Sequence, residues 1–402
     1  PEFRTAVVPE YKAQRVTDPE TGSETPADLA VQLPLIRALL EAAGIPLAEV
    51  PGTEADDYLS RRGMDGAIRE QFGIGYAPRG GEELARHLRA KGFTDDELTI
   101  GGLCGKGSRG LYDRFRGRLV WPIRDITGDT IGFGARRLYD NDRIGAKYLN
   151  TTETPIYKKS SVLYGLDLAK KSIRDERLVV VVEGYTDVMA AHLSGVEGAV
   201  ATCGTAFGAD HIKVLRRIVR DEADQAPAKV VFTFDGDKAG QEAAMKAYAQ
   251  DDKWASQSFV AVAKDGMDPC DLRLREGDLA VRELVADAVP MFEFAVRTTL
   301  DRFDLDTAEG RVRGMSAVAP IINNIRDSSL RPEYVRTVAG WVGVEVEQSV
   351  GRNRFEPGFF GVRVGVAFDH NVEQRAARAP LDRDNRPGCR CGEQDSWEFF
   401  VG

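Results

Sequence analysis

A set of carboxylates follows the ends of three short apolar segments in the middle of this 402-residue chain: Glu183, Asp187, Asp235, Asp237, Asp265 and Asp268. Carboxylates that gather in one place repel each other unless a cation lies among them, and a hard divalent ion such as Mg²⁺ prefers oxygen ligands. A metal held in this way keeps coordination positions for substrate phosphates, so the pattern favours metal-dependent phosphoryl transfer. Glu183 could serve as a metal ligand or, if neighbouring acids raise its pKa, as a general acid or base.

The three apolar segments, residues 178–182, 230–234 and 259–262, are short and rich in Val and Phe, which is typical of buried parallel strands. The stretches beside them can form helices, at residues 187–193, 210–220 and 239–250. A β-α-β-α-β series of this kind brings the carboxyl ends of its strands to one edge, where open α/β sheets bind ligands. A single acid at a strand end is usually a turn former or a helix cap. Three such strand ends in one series instead indicate a functional cluster.

The rest of the chain predicts further domains around this α/β unit. Before it, several helices and two strands joined by a turn at 127–129 predict an α+β region; after it, 3.6-residue apolar spacing predicts a small helical bundle. We expect a loop or a disordered tail at 17–26 and a short helix at 34–43. The sequence predicts five divisions. Residues 1–53 form an N-terminal segment of uncertain order, 54–175 an α+β subdomain, and 176–268 a catalytic subdomain with a mostly parallel sheet. Residues 269–349 form a helical subdomain, and 350–402 a tail of uncertain order.

Composition narrows the class of protein. Apolar residues make up 43% and charged residues 29% of the chain, as in ordinary soluble globular proteins, and no apolar stretch reaches the roughly 18 residues of a membrane span. No basic-then-apolar signal peptide stands at the N-terminus. The five cysteines are few and scattered, so we expect no disulfide framework, no zinc site and a reducing cytoplasmic location.

Charge distribution is more informative than the net charge of −9, which argues only weakly against a nucleic-acid partner. Basic residues are concentrated between Lys106 and Arg118 and again between Arg136 and Lys159, ahead of the acidic cluster. A basic middle beside a metal-binding cluster suits a polyanion such as a nucleic acid.

Specific motifs add a family resemblance to this pattern. Residues 182–187, Val-Glu-Gly-Tyr-Thr-Asp, and 234–240, Phe-Asp-Gly-Asp-Lys-Ala-Gly, resemble the two signature motifs of a Toprim domain. The surrounding segments resemble, in order and spacing, the RNA-polymerase domain of bacterial DnaG-type primases, and their sequences are most similar to those of actinobacterial members. These segments are residues 72–78, 114–119, 131–136, 147–150, 153–155 and 163–165. The resemblance runs from about residue 55 to about residue 345.

The resemblance implies a DNA primase core that makes short RNA primers on a single-stranded DNA template from NTPs, leaving an RNA–DNA hybrid, in the bacterial cytoplasm and at the nucleoid during replication. It implies catalytic roles for Glu183, Asp187, Asp235 and Asp237. Metal binding would fall to Glu183, Asp235, Asp237 and Asp268, with Mg²⁺ as the ion and Mn²⁺ able to substitute for it. Nucleic-acid or NTP contacts would come from Arg114, Arg116, Arg118, Lys147, Asn150 and Lys159.

The sequence departs from the family pattern in three places. Residues 1–50 contain neither Cys nor His, so no zinc-binding domain is expected ahead of the core. A core without that domain should initiate primer synthesis poorly by itself. Cys270 stands where many members carry an acid, with Asp271 next. No full helicase-binding domain is recognisable at the C-terminal side, so a replicative helicase is expected to bind only through a domain not recognisable here.

Two other hypotheses stay open at this point. The first is another Toprim enzyme, a nuclease or a topoisomerase. A type IA topoisomerase would place its Toprim unit near the N-terminus and a nucleophilic tyrosine downstream, whereas the downstream helices here offer only Tyr334. The second is a catalytically weak nucleic-acid-binding module, against which the intact Asp235 and Asp237 argue.

Overall fold

A computed structural model describes residues 54–346, except 109, 143, 220–227, 235–243, 246–256 and 326–329, together with short strands at 15–17, 24–26 and 364–365. The chain divides into two compact units, residues 1–291 and 292–402. Numbered in chain order, the strands are β1 (Arg15–Thr17), β2 (Glu24–Pro26), β3 (Gly75–Ala77), β4 (Cys104–Gly107), β5 (Gly110–Asp113), β6 (Arg118–Arg124), β7 (Thr130–Arg137), β8 (Tyr148–Asn150), β9 (Leu163–Tyr164), β10 (Leu178–Val182), β11 (Ala199–Thr202), β12 (Lys229–Phe234), β13 (Gln257–Val262), β14 (Val289–Pro290), β15 (Glu345–Val346) and β16 (Val364–Gly365).

A six-stranded sheet in the order β14-β13-β12-β10-β11-β9 forms the centre of the first unit. Its four inner strands run parallel, with Val181 opposite Phe232 and Phe232 opposite Val260, and the two edge strands are antiparallel. Val-rich inner strands are buried on both faces because helices cover a parallel sheet on both sides. The predicted mostly parallel sheet is therefore confirmed. Strand β11 was not predicted, since four residues with two alanines give little strand signal.

Among the described residues, five helices accompany this sheet: Leu166–Glu176, Tyr185–Leu193, Ala209–Val219, Pro269–Glu276 and Asp278–Ala286. The helix Pro269–Glu276 was missed in the sequence, although Asp268 at its N-cap and Pro269 in its first turn are ordinary start signals. The predicted helix at 239–250 lies almost entirely outside the described residues.

An antiparallel sheet in the order β3-β6-β7-β8 and the hairpin β4-β5 precede the parallel sheet. They are accompanied by the helices Glu54–Arg61, Gly66–Phe72, Glu83–Ala90 and Asp95–Ile100. The predicted turn at 127–129 is confirmed: Asp125 Oδ1 accepts the backbone N–H groups of all three turn residues at 2.9–3.1 Å. Thr94 and Glu97 form a capping box that starts the helix Asp95–Ile100.

One apolar cluster joins the two sheets of the first unit. It contains Trp121 and Ile123 from the antiparallel sheet, Val180 from the parallel sheet, and Tyr185 from the following helix. A second cluster, with Leu88, Leu111 and Phe133 among its members, lies beneath the β4-β5 hairpin. The two sheets are therefore held together by shared apolar burial, which is the main favourable contribution to folding.

The second unit contains the greater part of the helix Met291–Leu300, followed by the helices Ala308–Asn323 and Arg331–Val342. Val296, Leu300, Val318, Val338 and Val342 form its apolar core. The predicted small helical bundle is confirmed in this unit.

Two short strand pairs lie in the terminal segments. Strand β1 pairs with β2, so the 17–26 stretch predicted as a loop contains hairpin strands. Strand β15 pairs with β16, which lies in the predicted tail. The predicted helix at 34–43 lies outside the described residues. None of the described helices is long and apolar enough to cross a membrane.

Candidate active site

The inner strands of the parallel sheet all end at one edge, called here the carboxyl edge: the residues that directly follow β10, β11, β12 and β13. Glu183 follows β10 at this edge and is exposed. Asp235 and Asp237 follow β12 in the sequence but lie outside the described residues. The direction of the strands thus brings the chain to one edge at each point where the sequence carries an acid, as predicted.

Asp187 lies in the first turn of the helix Tyr185–Leu193, only 5% exposed. Its Oδ2 atom accepts the Gly184 backbone N–H at 2.9 Å. This bond closes the turn that carries Glu183, because Gly184 is the next residue in the chain. Asp187 therefore fixes the strand-to-helix turn, and Glu183 is the exposed carboxylate that the turn presents to solvent.

Asp268 caps the helix Pro269–Glu276, where its Oδ1 atom accepts the Asp271 N–H at 2.7 Å. Burial raises the pKa of the Asp268 carboxyl, while the Arg62 guanidinium lowers it. The helix packs against Tyr185–Leu193. Burial, together with the carboxylates of Asp187 and Asp268, raises the pKa of the Cys270 thiol to about 12. Both acids therefore lie near the same buried thiol.

Two arginines flank the Tyr58 ring beside this acidic cluster. The Arg62 Cζ atom lies 4.3 Å from the ring centroid, and the Arg136 Cζ atom lies 4.0 Å from it. A guanidinium over an aromatic face is attracted by the ring quadrupole. The charge of Arg62 reaches both Asp268 and Cys270, since it lowers the pKa of each.

Tyr58 and Arg62 were missed as site residues. The signal that could have found them is their i, i+4 spacing at the end of the helix Glu54–Arg61, which places an aromatic ring and a cation on one face. The third member, Arg136, is 78 residues away in β7, and sequence spacing cannot connect it to them.

Asn150 is held by the helix that follows β10. The Tyr185 hydroxyl donates to Asn150 Oδ1 at 2.8 Å, and the Tyr185 ring stacks on Trp121 with centroids 5.1 Å apart. Gly134 makes this packing sterically feasible, because a Cβ atom there would lie 2.2 Å from the Tyr185 hydroxyl. A Cβ on Gly204, just beyond β11, would lie 2.5 Å from Asn150 Nδ2, so Asn150 approaches the carboxyl edge.

Of the predicted basic contacts, Arg114 lies close to Asn150. Its Nη2 atom donates to the Asn150 carbonyl at 3.5 Å, and the side chain is half-buried. Arg116 is also half-buried, with its Cζ atom 5.5 Å from the Tyr112 ring centroid.

The two predicted lysines differ in exposure. Lys147 is exposed, with Nζ 5.8 Å from the Tyr148 ring centroid. Lys159 is half-buried, and its charge lowers the pKa of Cys203, the residue just after β11. Lys159 therefore lies near the carboxyl edge.

Arg118 is placed differently from the other basic residues. Its side chain is completely buried, and its guanidinium contacts Asp142 and two backbone carbonyls. The expectation of a direct nucleic-acid or NTP contact is not supported by this placement, because a buried guanidinium paired with a carboxylate has no surface to offer a phosphate.

The described donors at the carboxyl edge are carboxylate oxygens, and Glu183 is exposed to solvent, which fits a hard cation such as Mg²⁺. Among the described residues, no group of three or more His, Cys, Asp or Glu side chains could hold a metal ion. A complete ligand set would therefore have to draw on residues outside the described ones, and Asp235 and Asp237 stay the predicted candidates. Arginine and lysine side chains beside this edge suit negatively charged phosphates.

Comparisons with known families match four parts of the chain. The family models match as DNA primase catalytic core, N-terminal domain, at residues 45–170, Toprim domain at 177–261, and DnaB-helicase binding domain of primase at 292–347. The expectation that no helicase-binding domain would be recognisable is therefore wrong, because the predicted helical bundle itself carries that similarity. A fourth model, 5'-3' exonuclease, N-terminal resolvase-like domain, matches residues 1–67.

Individual relatives agree with these matches. The DNA primase of Streptomyces coelicolor is 55% identical over 73% of this chain and 46% of its own length. A crystal structure of the RNA polymerase domain of Mycobacterium tuberculosis primase DnaG with double-stranded DNA is 50% identical, with a TM-score of 0.70, covering 77% of this chain and 98% of that one. A DnaG primase catalytic domain bound to ssDNA is 32% identical, with a TM-score of 0.65, covering 78% and 98%. The chain spans about half the length of the full DNA primases it matches.

Proposed function

Because this chain belongs to the DnaG-type DNA primase family and 77% of it matches 98% of a solved RNA polymerase domain of that family, we propose that it is a primase catalytic core. It synthesises short RNA primers from NTPs on a single-stranded DNA template by metal-dependent nucleotidyl transfer, in the bacterial cytoplasm and at the nucleoid. The observation that supports this proposal is the carboxyl edge, where β10, β12 and β13 end side by side and each strand is followed in the sequence by acids.

In the proposed reaction, the 3′-hydroxyl of the growing primer attacks the α-phosphate of an NTP and releases pyrophosphate. Glu183, Asp235 and Asp237 would hold Mg²⁺, or Mn²⁺ in its place, with Asp268 nearby. The bound ion would stabilise charge on the attacking and leaving oxygens. Asp187 acts through the backbone, because its carboxylate fixes the turn that presents Glu183.

The basic residues have separate roles in this proposal. Lys147 and Lys159 contact template or nucleotide phosphates, and Arg114 and Arg116 line the approach to the edge. Asn150 is positioned by the Tyr185 hydroxyl. Each phosphate contact contributes to affinity mainly through charge, so binding should weaken as salt rises.

The matched helicase-binding region suggests a partner for the second unit. We propose that residues 292–347, which include the core of Val296, Val318 and Val338, contact a replicative helicase of the DnaB type. The domain limits given above from the sequence stay predictions.

The test is primer synthesis by the full chain on single-stranded DNA with labelled NTPs and Mg²⁺. Asp235→Ala and Glu183→Gln should each lower synthesis by at least about 100-fold, because each removes charge that acts on the transition state. Single-stranded DNA affinity should change by less than about threefold, because phosphates bind the basic residues.

The same assay separates the alternatives. Cleavage of the template strand would support another Toprim enzyme, and binding without turnover would support a nucleic-acid-binding module. If Asp235→Ala lowered DNA affinity as much as synthesis, the metal assignment would be wrong. Arg89→Met is the control, since Arg89 makes an exposed pair with Asp95 and has no role in the proposed site.

A further inference from the structure

The loop between β7 and β8, residues 138–147, is bound to one buried guanidinium. Arg118 is 0% exposed. Its Nη1 atom donates to the Ala146 carbonyl at 3.1 Å, its Nη2 atom donates to the Ile144 carbonyl at 3.0 Å, and Nη2 lies 2.6 Å from Asp142 Oδ2. All three partners belong to this loop, which we call the 138–147 loop.

Polar bonds rather than apolar burial hold the C-terminal half of the loop. Gly145, Ala146 and Lys147 are all exposed, so they contribute little apolar burial. The Arg137 backbone N–H donates to the Lys147 carbonyl at 2.8 Å, and Arg137 Nη1 donates to the Gly145 carbonyl at 3.1 Å. Arg118 adds two further carbonyl bonds to the same short stretch.

The N-terminal half of the loop is fixed at Tyr139 and Asp142. The Tyr139 hydroxyl lies 3.2 Å from that of Tyr76, and Asp142 Oδ1 accepts the Ile144 N–H at 2.9 Å. Asp142 thus connects the buried guanidinium to the loop backbone.

We propose that Arg118 is a positioning residue that holds the 138–147 loop so that Lys147 faces template or nucleotide phosphates. This inference rests on the proposed function, in which Lys147 makes that contact. Lys147 lies one residue beyond Ala146, whose carbonyl Arg118 binds, and it immediately precedes β8, which carries Asn150. The buried charge acts on the nucleic acid only through the backbone that it fixes.

The chemistry of the guanidinium explains why this position needs arginine. Its planar fork reaches two carbonyls and one carboxylate at the same time, whereas a lysine ammonium is a compact point charge with a different geometry. Asp142 neutralises the buried charge, which would otherwise be costly to keep from water. Arg118→Lys should therefore resemble the loss of the bonds between Arg118 and the 138–147 loop more than a conservative change.

A double-mutant cycle separates positioning from direct contact. The chain, Arg118→Met, Lys147→Ala and the double variant are titrated with fluorescent single-stranded DNA in the absence of NTPs. Each single change should raise Kd by roughly threefold to tenfold. The double variant should match Lys147→Ala, because residues that act through one another are not additive. The proposal would be overturned if the two fold-changes in Kd multiplied in the double variant, or if Lys147→Ala left Kd unchanged.

Hydrogen exchange tests, without any ligand, whether Arg118 holds the 138–147 loop in place. In Arg118→Met, backbone amides of the 138–147 loop should exchange at least about tenfold faster than in the unchanged chain. Unchanged exchange would overturn the proposal. Faster exchange with unchanged DNA affinity would also overturn it, while leaving the primase assignment intact. Failure of the primase proposal itself would instead appear as absent primer synthesis by the unchanged chain.

Two further variants protect the test against misfolding. Asp142→Asn removes the charge of the partner but keeps its shape, and it should raise Kd in the same direction as Arg118→Met. Synthesis by Arg118→Met and by Asp142→Asn should fall at low template, and saturating template should bring it back to within about twofold of the unchanged chain, because the acids at the carboxyl edge are untouched. Arg89→Met should change neither Kd nor loop exchange, since its pair with Asp95 is exposed.

Discussion

The carboxyl edge of the parallel sheet and the neighbouring antiparallel sheet position their charged residues in opposite ways. At the edge, Glu183 follows a buried strand directly and is exposed. In the antiparallel sheet, Arg118 is fully buried, and Arg136 is stacked on Tyr58. Strand direction therefore places Glu183, whereas side-chain packing places Arg118 and Arg136. A substitution in the packing between the sheets should accordingly disturb the basic side first.

Gly134→Ala should produce the largest change that this contrast predicts. The added Cβ would lie 2.2 Å from the hydroxyl and 2.3 Å from the Cζ atom of Tyr185, whose buried ring cannot move away. Overpacking of this kind lowers the free energy of unfolding by about 1–3 kcal/mol, and we expect the upper end. Urea unfolding measures it.

Gly145→Ala is the matched control, because a Cβ there meets no atom within 4 Å. Its free energy of unfolding should stay within about 0.5 kcal/mol of the unchanged chain. Equal effects of the two substitutions would mean that the close approach of Tyr185 to β7 does not hold the sheets together.

Tyr58→Leu should have a smaller effect, of about 1–2 kcal/mol on unfolding, because it removes the aromatic face from two guanidiniums. Tyr58→Phe keeps that face. Among the described residues the Tyr58 hydroxyl has no hydrogen-bond partner, so its loss should be neutral or slightly stabilising. Thermal unfolding and the KM for NTPs measure both variants.

In the leucine variant the KM for NTPs should rise by roughly threefold to tenfold, since Arg62 and Arg136 lose their fixed positions beside the acids. The phenylalanine variant should keep the KM unchanged. A phenylalanine variant as weak as the leucine variant would show that the hydroxyl, and not the ring face, matters.

The two regions can be compared by how the ionisation of their buried thiols changes the free energy of unfolding at alkaline pH. Burial raises the pKa of Cys203, at the carboxyl edge, and that of Cys104, in β4, each to about 12 from an ordinary value of 9.0. Above pH 9 the unfolded chain loses these protons first. The free energy of unfolding should therefore fall by about 1.4 kcal/mol per pH unit for each thiol between pH 9 and pH 12.

Cys203→Ala and Cys104→Ala should each flatten this decline by about 1 kcal/mol per pH unit between pH 9 and 10.5, as followed by urea unfolding at fixed pH. Below pH 9 neither variant should change the slope. A slope that both variants leave unchanged would mean that the thiols ionise as readily in the folded chain as in the unfolded one.

The same contrast explains what the sequence could predict. Short Val-rich segments with acids behind them indicate a parallel sheet and one functional edge, because strand direction alone fixes where the acids go. The role of Arg118 could not be read from its motif, since Arg114, Arg116 and Arg118 look alike until the loop that covers one of them is known. The pairing of Tyr58 with Arg136 depends on packing between segments far apart in the chain.

The common apolar cluster has a consequence for dissecting the molecule. Trp121 from the antiparallel sheet and Tyr185 from beyond β10 stack inside it, and β9, which precedes the predicted division at 175, pairs with β11. Cutting the chain there would leave each fragment with aromatic rings in water and an unpaired strand edge, a surface prone to aggregation. The acidic and the basic residues of the site therefore belong to one folding unit, and neither fragment produced by a cut at residue 175 should fold stably by itself.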